Sequence, residues 1–276
     1  MKRTRLALAA AFAAALVLAP AAASAAVTVK GSDTMVILSQ RWAENYMKKN
    51  AGKKIQVTGG GSGTGIAALV NGTTDIANSS RAIKGDESAK VRDRFNVLTA
   101  ETAVAKDGVA LYVNEANGIS QLTIEQLYGI YTGDITNWKQ VGGADAPIVL
   151  YSRENSSGTY FFFKENVLKG DDFAAAAQTL PGTAAVVNAV SKEKNGIGYG
   201  GAAYAKGVKE LKVVGKDGQG YLPTAENVKA GAYPLSRPLF VYTRGKPAGE
   251  AKDFIDFCLS AEGQSIVTTV GYYPVK

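Results

Sequence analysis

Four short stretches hold the residues best suited to meet an anion. Arg153-Glu-Asn-Ser156-Ser157-Gly158-Thr159 joins an arginine to three hydroxyl side chains just ahead of the apolar run Tyr160 to Phe163. A helix starting there would present unpaired N–H groups and the positive end of its dipole to a bound anion. Arg153 would add a full charge on a planar fork of donors. The same residues also suit an ordinary N-cap serine beside a surface arginine. The second stretch, Ser32-Asp33-Thr34-Met35, offers helix capping by Asp33. That carboxylate would repel a fully ionised ligand but accept a hydrogen bond from a protonated oxyanion.

The third stretch is the Gly-rich turn Gly59 to Gly65 with Ser62 inside it. No lysine follows Gly65, so it is not a Walker A loop; the spacing fails G-x-G-x-x-G, and Thr64 breaks a nucleophile elbow. The remaining readings are an anion-facing turn, where glycine permits close backbone approach, and a flexible strand-to-helix connection. The fourth, Asn78-Ser79-Ser80-Arg81, adds hydroxyls and a second arginine, which doubles as a candidate surface charge near Lys84 and Asp86.

The chain contains no histidine and one cysteine. Ser-His-Asp and Cys-His catalysis as usually built are therefore excluded, with most zinc and iron sites, and no acidic run resembles an EF-hand loop. No metal or cofactor is expected. The enzymatic rival is a hydrolase using Ser62 or Ser157 with a lysine as base; the stronger expectation is binding without covalent chemistry.

The elements that must position these turns alternate between strand and helix. Val27–Lys30 reads as a strand broken at Gly31, followed by Met35, Leu38, Trp42 and Tyr46 at helical spacing. Ile55–Thr58, the Gly-rich turn and Ile66, Leu69 and Val70 repeat the unit, and Asp75–Ala77 forms a third strand. Such alternation predicts an α/β fold with much parallel pairing, in which ligands sit beyond the carboxyl ends of the strands. The polar turns fall at those ends. Further on, Val109–Val113 reads as a hinge strand, Thr123–Tyr131 as a helix capped by Thr123 with Gln126, and Ile148–Tyr151 as the strand delivering Arg153. Helices are expected at Asp171–Gln178 and Thr183–Lys194, then a Gly-rich turn at Gly196–Gly201 with a short helix behind it. A strand follows at Leu239–Tyr242, preceded by Pro234 and Pro238, with final helices at Ala248–Leu259 and Ala261–Thr268. Trp42 and Trp138 are expected in the core.

The N-terminus has the layout of a secretory signal: Lys2, Arg3 and Arg5, an apolar run from Leu6 to Ala19, and a small-residue site at Ala23-Ser24-Ala25. Cleavage after Ala25 would remove three basic residues and lower the formal charge from +7 to +4. Basic residues are scattered among acidic ones, which gives no nucleic-acid footprint. Cys258 lies within an amphipathic helical pattern, away from the signal junction, and is expected to be a core thiol rather than a lipid anchor. These features predict an exported protein, free in the periplasm.

Together the motifs resemble those of the periplasmic phosphate-binding proteins that feed phosphate ABC transporters. The resemblance runs through Gly31-Ser-Asp-Thr-Met35, Gly61-Ser62-Gly63, Asp75-Ile-Ala-Asn-Ser-Ser80, the segment Gly108–Gly118, and Leu127–Gly133 with Ile135–Trp138. It continues through Arg153-x-x-x-Ser157-Gly158-Thr159 and Asn195–Tyr199. It implies a two-lobed, type II periplasmic binding protein fold, each lobe a mixed, mostly parallel sheet flanked by helices, with hinge strands joining them. Residues 26–109 and 240–276 would form lobe 1 and residues 110–239 lobe 2. It further implies inorganic phosphate held in the cleft by Thr34, the Met35 N–H and Ser62 from lobe 1, and by Arg153, Ser157, Gly158 and Thr159 from lobe 2. The monomeric receptor would deliver phosphate to a membrane permease. Where best-known members of the family carry an aspartate that accepts the phosphate proton, this chain has Ser80; Asp33 is the candidate replacement, and Arg81 a further candidate contact. The departure leaves room for another tetrahedral oxyanion, sulfate, arsenate or molybdate, and a free-standing phosphate sensor would share the same site.

Overall fold

The structure is a computed structural model that describes residues 26–275. The signal segment and its cleavage after Ala25 lie outside the described residues. The chain opens with β1 (Val27–Gly31), whose Val27 and Val29 point inward, and α1 (Val36–Lys49), which buries Leu38, Trp42, Ala43 and Tyr46 on one face. Lys48 and Lys49 occupy its last turn, where the dipole favours positive charge. β2 (Ile55–Thr58) and α2 (Ser62–Asn71) repeat the unit, with α2 closed by Gly72 at φ 75°. The fully buried β3 (Ile76–Ser79) follows, then α3 (Gly85–Phe95) and the 15-residue β4 (Thr99–Val113).

The middle of the chain comprises β5 (Gln121–Leu122), α4 (Ile124–Thr132), β6 (Val149–Arg153), α5 (Gly158–Asn166), β7 (Gln178–Leu180), α6 (Thr183–Lys192) and β8 (Gly196–Gly201). It continues through β9 (Lys209–Val214), β10 (Gly220–Tyr221) and α7 (Ala225–Lys229). The chain then returns through β11 (Ser236–Arg244) to α8 (Gly249–Leu259) and α9 (Ala261–Val270).

The main sheet runs β2-β1-β3-β11-β4-β8-β6-β7, while β9 joins β4 and pairs with β5 and β10. β1, β2 and β3 are parallel, as are β6, β7 and β8; β4 and β11 run antiparallel to their neighbours. β4 is the shared strand: Thr99–Gly108 pairs with β11 and Val109–Val113 pairs with β8. A register shift between Leu239 and Phe240 marks a bulge where β4 and β11 pass from one half to the other.

The buried apolar residues divide at the same level. One core gathers Val29, Leu38, Trp42, Ala105, Leu239 and Val267 among others; another gathers Val109, Leu127, Trp138, Phe163, Tyr199 and Leu235. Both tryptophans are core residues, and Cys258 is buried in α8.

The expected strand–helix alternation forms, and Thr123 and Gln126 cap α4 reciprocally. The helix expected over Asp171–Gln178 does not form. Phe173 instead stacks on Tyr160, Phe163 and Tyr199, the Ala174 amide donates to the Tyr131 carbonyl, and the Ala177 amide closes a turn on the Ala174 carbonyl, which holds the segment out of a helix. A helix of little more than two turns is too short to outweigh that anchoring. The last strand begins at Ser236 and includes Pro238, which lies beyond the end of β3, where β11 has a neighbour on only one side. Asp33 makes no capping bond; it sits inside a short 3-10 turn, Asp33–Met35, ahead of α1. Among the described residues, no helix is long and apolar enough to cross a membrane.

Candidate anion-binding site

The carboxyl ends of β1, β3 and β6 and the N-termini of α2 and α5 meet at one place. Each strand ends in a hydroxyl-bearing turn because the buried apolar run stops there: Val29 gives way to Ser32 and Thr34, Ala77 to Ser79 and Ser80, and Tyr151 to Ser152 and the Arg153–Thr159 turn. Ser32, Thr34, Ser62, Ser80, Ser157 and Thr159 are all at most 2% exposed. Ser32 Oγ donates to Ser80 Oγ at 2.9 Å, Ser62 Oγ lies 3.4 Å from Ser80 Oγ, and the Ser80 amide donates to Ser62 Oγ at 3.0 Å. These three hydroxyls form one bank. From the opposite bank, Thr159 Oγ1 lies 2.9 Å from Thr34 Oγ1, and Ser157 Oγ caps α5 by accepting from the Thr159 and Tyr160 amides, both at 3.2 Å.

Gly158 sits directly on the first bank. A Cβ added to it would fall 2.3 Å from Ser62 Oγ and 2.6 Å from Ser80 Oγ. Only glycine permits that approach, and as the first residue of α5 its N–H has no acceptor within the helix. Gly61 plays the matching part in the Gly-rich turn: it adopts φ 92°, and a Cβ there would meet the Ser156 carbonyl at 2.6 Å. The Gly63 amide donates to that carbonyl at 2.9 Å.

The charged residues are arranged less simply than their positions in the sequence indicate. Arg153, 1% exposed, donates through Nε and Nη2 to Glu154, through Nη2 to Asp33 Oδ2 at 2.9 Å, and through Nη1 to Thr183 Oγ1 at 2.9 Å. Burial pushes the Glu154 carboxyl up, but hydrogen bonds and the charge of Arg153 carry it below the ordinary carboxylate range. Asp33 Oδ1 accepts from the Gly60 amide at 2.8 Å, so both of its oxygens are engaged away from the Ser32–Ser62–Ser80 bank. The Met35 amide donates to the Ser32 carbonyl and closes the short turn. Arg81 forms a two-pronged pair with Glu87 at 2.6 and 2.8 Å and lies over the Phe161 ring.

Arg237 and Asp107 were not anticipated as part of this site. Arg237 Nη2 donates to Thr159 Oγ1 at 2.9 Å, and its Nε and Nη2 hold Asp107 Oδ2 at 3.1 and 2.9 Å. Alternation could have flagged both. Arg237 lies two residues from each of the buried Leu235 and Leu239, and Asp107 two from each of the buried Ala105 and Val109, so each shares an inward face. Burial pushes the Asp107 carboxyl up, against the opposing pull of Arg237.

The arrangement can surround a small tetrahedral anion with hydroxyl and amide donors from two helix N-termini. It is poorly equipped for covalent catalysis: Ser62 Oγ bonds only within the Ser80 turn, and Ser157 Oγ accepts two backbone amides.

A model of the PBP superfamily domain matches residues 18–262. The phosphate-binding protein PstS of Pseudomonas aeruginosa is 34% identical over 263 residues, spanning 89% of this chain and 81% of its own. Among solved structures, a phosphate ABC transporter substrate-binding protein from Clostridium perfringens, with phosphate bound, superposes with a TM-score of 0.84. It is 35% identical and covers 91% of this chain and 100% of its own. An ABC-type phosphate transport receptor from Vibrio cholerae gives 0.72 at 33% identity, over 90% and 99% of the two chains. Identity at this level across nearly the whole length accompanies the shared two-lobed architecture: the chain belongs to the PstS phosphate-binding protein family, within the PBP superfamily.

Proposed function

We propose that the chain is an exported receptor that takes inorganic phosphate between its lobes and hands it to the permease of an ABC transporter. The observation that carries this reading is the seating of Gly158, at the N-terminus of α5, on the Ser62 and Ser80 hydroxyls at the start of α2 and the end of β3. Donors from both lobes thus face one small volume, where fixed dipoles and hydroxyls replace the water around an ion. Thr34, Ser62, Ser80, Ser157, the Gly158 amide and Thr159 form the contact set, with the Met35 turn supporting Thr34. Arg153 adds the charge of its guanidinium to the contact set from lobe 2, Asp33 pairs with it across the lobes, and Arg81 braces α3 against Phe161. The lobes are residues 26–109 with 240–276, and residues 110–239; the parting of the two cores along β4 and β11 supports that division. Both banks come from one chain, so the receptor works as a monomer. It reaches the periplasm after cleavage at Ala25, and the burial of its single cysteine fits an unanchored protein.

A second reading, a receptor for sulfate, arsenate or molybdate, is favoured by one observation. The bank facing Gly158 offers hydroxyls at Ser32, Ser62 and Ser80, while both Asp33 oxygens are engaged elsewhere. Hydroxyls accept as readily as they donate and sense protonation weakly. Calorimetry of the ligand-stripped full-length mature protein with each anion, from pH 6 to 8.5, separates the readings. Tightest binding of phosphate is expected; tighter binding of sulfate would replace phosphate as the ligand, and turnover of a phosphoester would replace the receptor reading altogether.

A further inference from the structure

The backbone of Thr34 is held by a side chain from the far end of the chain. Its carbonyl accepts a hydrogen bond from the Tyr272 hydroxyl, 238 residues away in sequence. The peptide plane carrying that carbonyl also carries the Met35 N–H, which donates to the Ser32 carbonyl at 3.0 Å. Holding both ends of one planar unit limits the directions in which Thr34 can present its Oγ1, which lies 2.9 Å from Thr159 Oγ1 of lobe 2. Tyr272 is 2% exposed, and burial pushes its hydroxyl well above the ordinary range, so it stays a donor.

The segment that delivers Tyr272 reaches both lobes. It leaves α9 through Gly271 at φ 102°, and its two tyrosines then part: Tyr272 sits in the core of lobe 1, while Tyr273 packs against the core of lobe 2. The Lys106 amide of β4 donates to the Tyr273 carbonyl at 2.7 Å, the Tyr273 amide donates back to the Lys106 carbonyl at 3.0 Å, and the Tyr273 hydroxyl donates to the Pro223 carbonyl of lobe 2. Beyond it, the Val275 amide donates to Gln264 Oε1 at 2.9 Å, and Gln264 Nε2 holds the Val104 and Cys258 carbonyls. The segment Gly271–Val275 is thus a further connection between the lobes, beside β4 and β11. Lobe 2 also presses on Tyr272 itself: a Cβ on Gly201, the last residue of β8, would fall 3.1 Å from Thr34 Cγ2 and 3.3 Å from the Tyr272 hydroxyl oxygen.

We propose that Tyr272 is a positioning residue for anion capture, its hydroxyl setting the Thr34 turn, and that Tyr273, anchored in lobe 2, couples that turn to the position of the lobes. When the lobes part, Pro223 draws on Tyr273, and the pull passes through one peptide bond to Tyr272 and on to the Thr34 carbonyl. Thr34 is therefore well placed in the closed state and displaced in the open one. Closure favours capture and opening favours release, through a connection that never touches the anion.

This role for Tyr272 rests on the phosphate-receptor reading, and calorimetry of the full-length mature protein with inorganic phosphate separates the two. If the wild-type protein binds no phosphate, the receptor reading falls and the role of Tyr272 falls with it. If it binds, the deciding variants are Tyr272→Phe, which keeps the ring in the core and removes only the hydroxyl, Thr34→Ala, and the two combined. Tyr272→Phe is expected to weaken phosphate binding about tenfold, the effect of one buried hydrogen bond. In the Thr34→Ala background the same change is expected to cost less than about threefold, because no Oγ1 is left to misplace. A lowered melting temperature with unchanged affinity, or equal losses in both backgrounds, would make Tyr272 merely structural and overturns the inference. Tyr273→Phe, which removes the hydroxyl that reaches Pro223, tests the anchor in the same way and decides alone should Tyr272→Phe not fold. It is expected to weaken binding at least about threefold with Thr34 present and not in its absence; equal effects in the two backgrounds, or none in either, overturn the inference.

Discussion

Arg153 Nη2 lies 2.9 Å from Asp33 Oδ2 and ties the first turn of one lobe to the β6–α5 turn of the other. The Asp33 carboxylate is held from its other side by the Gly60 amide, and the Tyr204 hydroxyl donates to the Asp33 carbonyl at 2.7 Å. With both oxygens so engaged, Asp33 is expected to act in closure rather than as a reader of the anion's proton. Asp33→Asn is therefore expected to weaken phosphate and sulfate binding by the same factor, about fivefold, corresponding to roughly 1 kcal/mol for a partly exposed pair. Calorimetry with both anions checks this; a change in their ratio would return Asp33 to the role of proton acceptor.

Gly158 offers a test of the seating of α5 on the opposite bank. Gly158→Ala places a methyl group within 2.6 Å of both the Ser62 and Ser80 hydroxyls, and the lobes must part to admit it. Overpacking of this kind costs about 1–3 kcal/mol, so affinity should fall about 10- to 100-fold. Melting temperature should hardly move, because the two cores lie away from this contact. Small-angle scattering with saturating phosphate should show a larger radius of gyration than wild type. Wild-type affinity would mean that α5 does not close on Ser62 and Ser80.

The polar turns were legible because their chemistry is local: each is a short run of hydroxyls and glycine where an apolar strand ends. The fold class followed from the same alternation. Arg237 and Asp107 were hidden for the opposite reason. They are 130 residues apart, and each alone looks like a charge at a strand end or loop, Asp107 before Gly108 and Arg237 before Pro238. Only the pairing of β11 with β4, which sets Arg237 opposite Asp107, turns them into one buried unit. Arg153 was legible as an arginine beside a helix start, but its engagement by Asp33, Glu154 and Thr183 was not, since two of those partners come from other turns. The run Asp171–Gln178 misled through its alanines, while Phe173, its one large apolar residue, decided the outcome by stacking in the core.

Glu210 gives the fold a pH dependence independent of ligand. It stands on β9 opposite Tyr112 of β4; its Oε1 is buried without a partner, and burial pushes its carboxyl up to about 7. An unfolded glutamate titrates near 4.3. Between about pH 4.3 and 7 the folded chain therefore holds a proton that the unfolded chain releases, and the stability this confers is lost as pH rises through 7. Thermal melts from pH 5 to 8 should show a falling midpoint that Glu210→Gln flattens, with the variant more stable than wild type above pH 7. Parallel curves for the two proteins would show that Glu210 does not titrate in this window.

Ser80 is the position at which the choice of anion can be changed. It receives a hydrogen bond from Ser32 and lies beside Ser62, so a carboxylate there would be met by two hydroxyl donors. Phosphate at neutral pH still carries a proton to place against such a carboxylate, whereas sulfate carries none and would meet an unrelieved like charge in a desolvated site. Ser80→Asp should therefore depress sulfate binding at least about tenfold more than phosphate binding, a difference of roughly 1.4 kcal/mol. Phosphate binding by the variant should persist at pH 8.5, because the dianion that dominates there still carries one proton to place against the carboxylate. Calorimetry at pH 6 and pH 8.5 with both anions measures each effect. Equal losses for the two anions would mean that the Ser32–Ser62–Ser80 bank holds the ion without sensing its proton.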